Sequence, residues 1–278
     1  MALVFAQPIE EYPVHLAFVT TPTMTNVDSN YPASKLITYD PTAVARTTAT
    51  STVISWDFGL AREFDVVSLL YTNTSYAATI VIEGSPDNSA WTTLQASKPF
   101  WAHRTSVPGS WTGEVNDPRR GALLRNHSWF YSPTVLTYRY LRITVSDSLT
   151  ANITFGRLFV GKSFSPATGY QYGSSFSFSD SGKKERTDRG ALIMDGSSNV
   201  IVTAAIKTDF LTSVEMYDYA YEFEYWRGGC KEMLVCLDTT DTTRLHKNIL
   251  YGVLSDGRTI SSDVFNSYVK TWNIESLA

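Results

Sequence analysis

Thr52-Val53-Ile54-Ser55-Trp56-Asp57-Phe58-Gly59 decides the fold class. Its β-branched and aromatic residues suit a pleated, half-buried strand, and Gly59 closes the run. Working outward, Phe64-Asp65-Val66-Val67-Ser68-Leu69-Leu70-Tyr71 reads as a second strand and Ala78-Thr79-Ile80-Val81-Ile82-Glu83-Gly84-Ser85 as a third. The third runs into Pro86-Asp87-Asn88-Ser89. That is a turn in which Pro presets φ and Asp and Asn bond their own backbone. Tyr138-Arg139-Tyr140-Leu141-Arg142-Ile143-Thr144-Val145 alternates large and polar residues, as a strand with one buried face should. Residues Ile153 to Gly161 continue the pattern. No repeat at solenoid or propeller spacing interrupts it.

The bulk numbers agree. The chain has 278 residues, enough for one large domain or two smaller ones. Charged residues make up 18%, below the roughly 25% of an ordinary soluble domain. Thr, Ser and Asn must therefore supply much of the surface, and they favour strands and turns over long surface helices. The net charge of −4 and the pI near 5.6 argue against a nucleic-acid binder, which carries a basic stripe. No run approaches the ~20 apolar residues of a membrane span. The N-terminus lacks the basic and apolar regions of a signal peptide. Two cysteines, Cys230 and Cys236, exclude a disulfide scaffold and read as buried free thiols.

Residues from about 162 to 190 change character. Ser, Gly, Tyr and Phe mix without clear period, followed by Lys183-Lys184-Glu185-Arg186-Thr187-Asp188-Arg189. A domain boundary or a long excursion belongs here. The charge run is open to two readings, a solvated loop or an inter-subunit salt-bridge patch. Beyond it, Ala191 to Met194 and Asn199 to Ala204 flank Asp195-Gly196 as a hairpin, and Asp256-Gly257 marks another. One helix is clear. Thr212-Ser213-Val214-Glu215 forms a capping box, with Leu211 and Met216 as the hydrophobic staple. Val214, Tyr217, Tyr221 and Tyr225 recur on one face, and Gly228-Gly229 ends the helix. A strand over Glu232 to Leu237 follows.

Several motifs of the first half resemble the discoidin family (coagulation factor type C, galactose-binding-like). They are Trp56-Asp57-Phe58-Gly59, the strand Phe64 to Tyr71, Ile82-Glu83-Gly84-Ser85-Pro86-Asp87-Asn88-Ser89-Ala90-Trp91, and Tyr140-Leu141-Arg142-Ile143, in that order. Asn88 stands where that family's hairpin has glycine, a swap that Asn tolerates in the left-handed region. The second half resembles tail-tip, distal-tail or baseplate proteins of tailed bacteriophages. The residues are Phe155-Gly156-Arg157-Leu158-Phe159-Val160-Gly161, Pro166, Tyr172-Gly173, the capped helix and the strand after it. The resemblances imply a mainly β chain: a discoidin-like jelly-roll sandwich followed by a smaller α+β portion with one helix. The division expected is an N-terminal arm over residues 1–29, the sandwich over 30–161 and an α+β assembly domain over 162–278.

Chemistry is sparse. His15, His103, His127 and His246 form no metalloprotease motif, and no nucleophile elbow, phosphate-binding loop or Cys-His metal spacing occurs. Carboxylates such as Asp57 and Glu83 can be paired on paper for glycoside chemistry, but spacing does not place them. The expectation is a protein that is not an enzyme and has no cofactor or metal.

The unusual stretch is Phe100 to Tyr131, which holds Trp101, His103, Arg104, Trp111, Arg119, Arg120, His127, Trp129, Phe130 and Tyr131. Aromatic faces flanked by Arg suit three uses: a protein–protein interface, internal packing or a glycan. Trp101, His103, Arg104, Trp111, Arg119, Trp129 and Tyr131 are the candidate ligand or interface residues.

The phage resemblance implies a virion structural protein of the tail, made in the bacterial host cytoplasm. Its partners would be other tail or baseplate proteins and copies of itself, with a host-surface glycan as a further partner and neither nucleic acid nor membrane insertion. The alternative is a carbohydrate-binding adhesin or receptor-binding module.

Overall fold

The computed structural model describes residues 3–9, 20–75, 77–100, 127–180, 184–186, 191–194, 200–227, 229, 231–241, 245–255, 260–264 and 267–277. The chain is mainly β, as expected, and divides into two compact units. One comprises Phe5–Ser163 and Asp238–Ile249, the other Met1–Val4, Phe164–Leu237 and Leu250–Ala278.

In the first unit the strands lie in the order β1 (Val4–Pro8), β9 (Arg157–Phe164), β4 (Ser51–Leu70), β7 (Phe130–Ser146), β5 (Thr79–Ser85) and β6 (Thr92–Pro99). β2 (Thr23–Met24) adds to β4, and β3 (Ala45–Arg46) pairs with β8 (Thr154–Phe155). The expected strands 52–58 and 64–71 are one strand of 20 residues. Gly59 does not end it. Its φ of 79° lets the chain turn while pairing resumes, and the register with β7 slips between Asp57 and Arg62. β4 pairs with β7 between Ser51 and Val67 and with β9 from Val66 to Leu70, so at Val66 and Val67 it has a strand on each side. Period-2 alternation puts Ile54, Trp56 and Phe58 inward beside Leu141, Ile143 and Val145. An aromatic line crosses the kink: Trp56 to Phe58 at 5.0 Å, Phe58 to Phe64 at 5.9 Å and Phe64 to Tyr138 at 6.5 Å between centroids. Gly84 is required beneath that line, because a Cβ there would lie 2.8 Å from the Tyr138 ring.

The turn after β5 forms as its residues dictate. Asn88 takes φ 63°, the backbone N–H groups of Ser89 and Ala90 donate to Asp87 Oδ1 at 2.9 and 3.0 Å, and Ser85 Oγ accepts from the Asn88 N–H at 3.0 Å.

In the second unit the order is β10 (Ser175–Asp180), β13 (Val200–Leu211), β17 (Ser267–Ser276), β15 (Ile249–Leu254) and β14 (Glu232–Cys236), with β16 (Ile260–Val264) on β17. Three expectations need correction here. The supposedly aperiodic stretch contains β10 and also β11 (Lys184–Arg186), so the charge run is partly strand. β12 (Leu192–Met194) pairs with β11, and β13 pairs with β10 and β17; among the described residues the two flanks of Asp195-Gly196 do not pair with each other. Likewise β15 and β16 both pair with β17. The turn dipeptides themselves lie outside the described residues, as does Cys230; Cys236 is wholly buried in β14.

The capping box is present: Thr212 N–H donates to Glu215 Oε2 at 2.9 Å and Glu215 N–H to Thr212 Oγ1 at 3.2 Å. The staple residues Leu211 and Met216 are buried. The helix opens with a wide turn over Glu215–Tyr221 and continues as α-helix over Glu222–Arg227. Its buried side is Met216, Ala220 and Phe223, and Val214, Tyr217, Tyr221 and Tyr225 face solvent. The four residues do share one face, as their spacing predicts, and that face is the exposed one. Phe223 meets Trp272 edge-on at 5.6 Å, which fixes which side packs.

Candidate binding site

Residues 101–126, outside the described residues, connect the end of β6 to the start of β7 in sequence. Both ends are fastened. On departure, buried Phe100 donates its N–H to Ala78 O at 2.8 Å. On return, Ser128 N–H donates to Leu69 O at 2.9 Å, Ser128 Oγ accepts from the Leu69 N–H at 2.8 Å, and Ser68 Oγ donates to Ser128 O at 2.5 Å. His127, also buried, accepts the Tyr71 N–H on Nδ1 at 3.2 Å and meets the Tyr71 ring edge-on at 5.0 Å. That bond fixes the imidazole with its proton on Nε2. Lys98 Nζ then donates to Trp129 O at 2.8 Å, so the two ends are tied directly to each other.

Of the seven candidate residues, Trp101, His103, Arg104, Trp111 and Arg119 lie outside the described residues. The structure places Trp129 and Tyr131 together, with rings stacked 6.5 Å apart. Trp129 is only 4% exposed, so it fills the base of the excursion and offers no open ring face. Tyr131 is half-buried.

Residues not foreseen complete the base. Burial lowers the Lys98 ammonium to about 8. Asp65, buried between Phe64 and Val66 in β4, accepts from Ser163 N–H and Ser163 Oγ, both at 2.8 Å. Burial nevertheless raises its carboxyl above the ordinary value. Burial and the Asp65 charge together raise the Tyr131 phenol. One signal was available in the sequence: a carboxylate between Phe64 and Val66-Val67 must be bonded if the run is a buried strand.

Asp65 gives a pH signature. Its folded-state pKa is raised above its unfolded value, so protonation favours the folded state. The stability it contributes is fully present below the unfolded value of 3.8 and is lost as pH rises through the elevated folded value. Asp65→Asn is expected to flatten the change in urea midpoint between about pH 4 and pH 7, relative to the parent protein. An unchanged pH profile in the variant would contradict this.

On the outer face of the sandwich the charges are matched in pairs. Arg139 grips Asp57 through two bonds of 2.9 and 3.0 Å, and its guanidinium holds that carboxyl below the usual range. Arg142 Nε donates to Glu83 at 2.8 Å, and its guanidinium lies 4.1 Å from the centre of the Trp91 ring. Asp57 and Glu83, which the sequence allowed as a carboxylate pair, thus each face a different arginine of β7. Among the described residues no three His, Cys, Asp or Glu side chains gather to hold a metal ion, and no helix is long and apolar enough to cross a membrane.

No protein-family profile matches the chain, and no curated protein matches it in sequence. Solved structures similar to part of it include a GH29 fucosidase from Ruminococcus gnavus in complex with fucose (17% identity, TM-score 0.39), matched over 53% of this chain and 26% of that one. The chain thus covers about a quarter of that enzyme. A family 32 carbohydrate-binding module of C. perfringens NanJ, in complex with galactose, matches at 16% identity and TM-score 0.39 over 57% of this chain and 99% of the module. A chitosan-binding module from a Paenibacillus chitosanase/glucanase matches at 17% identity and TM-score 0.37, over 53% and 97% respectively.

Proposed function

We propose that the chain is a non-catalytic binding protein whose first unit holds a glycan on the excursion between β6 and β7. The fastened base of that excursion carries this reading. Lys98 bonded to the Trp129 carbonyl, with Ser128 and His127 clamped to β4, gives a rigid root to a segment rich in Trp, His and Arg. Loops on rigid scaffolds are where binding residues concentrate. Indole faces stack on the apolar faces of sugar rings while arginine and histidine N–H groups bond the hydroxyls. A glycan array probed with the purified protein is expected to show binding that Trp101→Ala and Trp111→Ala abolish. Silence across the array overturns the proposal.

A second reading is a structural part of a bacteriophage tail tip or baseplate, working by assembly with other tail proteins and with its own copies. It is favoured by the second unit's exposed aromatics, among them Phe178, Phe210, Tyr217, Tyr221 and Tyr225. Large exposed apolar patches mark interaction sites. Rings in negative-stain images of the purified protein would support it; a dispersed monomer at every concentration would remove it.

A further inference from the structure

Strand β10 is an outer edge of the second unit. Among the described residues it pairs with β13 alone, in unbroken register from Ser175↔Ala205 to Asp180↔Val200. An edge strand presents a row of backbone N–H and C=O groups to any strand that approaches, and proteins blunt such edges with lysine, proline or a bulge. β6, an edge of the first unit, has all three: Lys98, Pro99 and two slips in its register with β5. Ser175-Phe176-Ser177-Phe178-Ser179 has none of them, and all five residues are exposed.

The side chains of this edge sort by face. Residues directly opposite one another in an antiparallel pair share a face. Phe176 stands opposite Ala204, which is wholly buried, and Phe178 stands opposite Val202. The two rings therefore prolong the apolar side of β13 past its covered part, and they are 45% and 71% exposed. At about 200 Å² for a phenylalanine, roughly 230 Å² of apolar surface is left open.

The segment is also complementary to itself. When a second copy is laid antiparallel on this edge about a two-fold axis through Ser177, Ser177 opposes Ser177. Phe176 then opposes Phe178 of the other copy, and Ser175 opposes Ser179. Phenyl meets phenyl on one face and serine meets serine on the other, with no like charges opposed within Ser175–Ser179.

We propose that β10 is a homodimer edge, at which two copies join antiparallel about Ser177 and continue one sheet through both second units. The contact is isologous and closes at two copies. Its open apolar area is well below the ~800 Å² per partner of a standard stable interface. The dimer is therefore weak, with a Kd between about 10 and 500 μM. This inference does not rest on glycan binding. A closed dimer also does not make the rings of the tail-part reading, so each can fail alone.

Sedimentation velocity of the full chain tests it first. Dimer is expected to appear as concentration rises from about 10 to about 500 μM. Phe178→Lys places a charge on the apolar face of the edge and is expected to weaken pairing about tenfold or more. Ser177→Cys is a milder change that reads the register directly. Opposed residues have Cα atoms about 4.5–5.5 Å apart, within the span of a disulfide, so mild oxidation is expected to link two copies. Two copies of Ser175→Cys would hold their thiols four residues apart along the strand, about 14 Å. They are expected to link no more than the parent, whose Cys230 and Cys236 set the background. Circular dichroism checks that each variant folds. A parent chain that stays monomeric at about 500 μM, leaving the edge to a strand of a different protein, overturns the proposal. So does a folded Phe178→Lys that pairs like the parent, or Ser175→Cys that links as fast as Ser177→Cys.

Discussion

Glu224→Ala is expected to cost the second unit about 3–5 kcal/mol, the penalty for stranding one member of a buried ion pair. The stranded group would be Lys270. Its side chain is 0% exposed, its ammonium lies 2.5 Å from Glu224 Oε1, and the Trp272 ring centre is 4.2 Å away. Removing the carboxylate takes the ion-pair partner from an ammonium that has no exposure to water. The double variant Glu224→Met/Lys270→Met should cost far less, since replacing a whole buried pair with hydrophobic residues of similar volume is often near neutral. Urea titration of both variants checks the contrast. Equal losses would mean that the pair acts through packing and not through charge.

Trp56→Ala is expected to destabilise the sandwich by about 3–5 kcal/mol, from lost burial plus the cavity left behind. Trp56 is 1% exposed, packs edge-on against Phe58 at 5.0 Å and donates Nε1–H to Thr20 O at 2.6 Å. Trp56→Phe keeps most of the ring volume and loses that hydrogen bond, so its cost should be nearer the ~1 kcal/mol of one such bond plus a small void. Denaturant unfolding followed by tryptophan fluorescence separates the two. A Phe variant as damaged as the Ala variant would show that the Thr20 bond, and not the packing, holds the segment.

The sandwich was legible in the sequence because one buried face forces period-2 alternation, and Ile54-Ser55-Trp56-Asp57-Phe58 states it plainly. The continuity of β4 was not legible. Gly59 is a terminator in most strands, and only the pairing with β7 beyond it shows that it bends the chain instead. In the second half, the capping box was readable because its two hydrogen bonds are local. The facing of the helix was not: four residues at helical spacing look like a core stripe whether Phe223 or Tyr225 meets the sheet, and that choice belongs to Trp272, about 50 residues away in sequence. Strand β10 was missed although Ser175-Phe176-Ser177-Phe178-Ser179 alternates cleanly. Its partner β13 is remote, and the glycines and serines around it imitate a loop. At the candidate site the aromatic excursion was visible from composition. Its root was not, because Lys98, Ser128 and Asp65 take their roles from contacts across the fold.

The unbroken β4 also sets a timetable for synthesis. Ser51 finds its partner only in Ser146 and Leu70 only in Arg157, so a nascent chain cannot seal this strand until nearly a hundred further residues have left the ribosome. At about 5–20 residues per second, that leaves all of the strand but the short β2 pairing at Ile54 and Ser55 uncovered for roughly 5–20 seconds. During that interval the run from Val66 to Leu70 is a sticky template, and the growing polypeptide would be a natural client for chaperones that shield such edges.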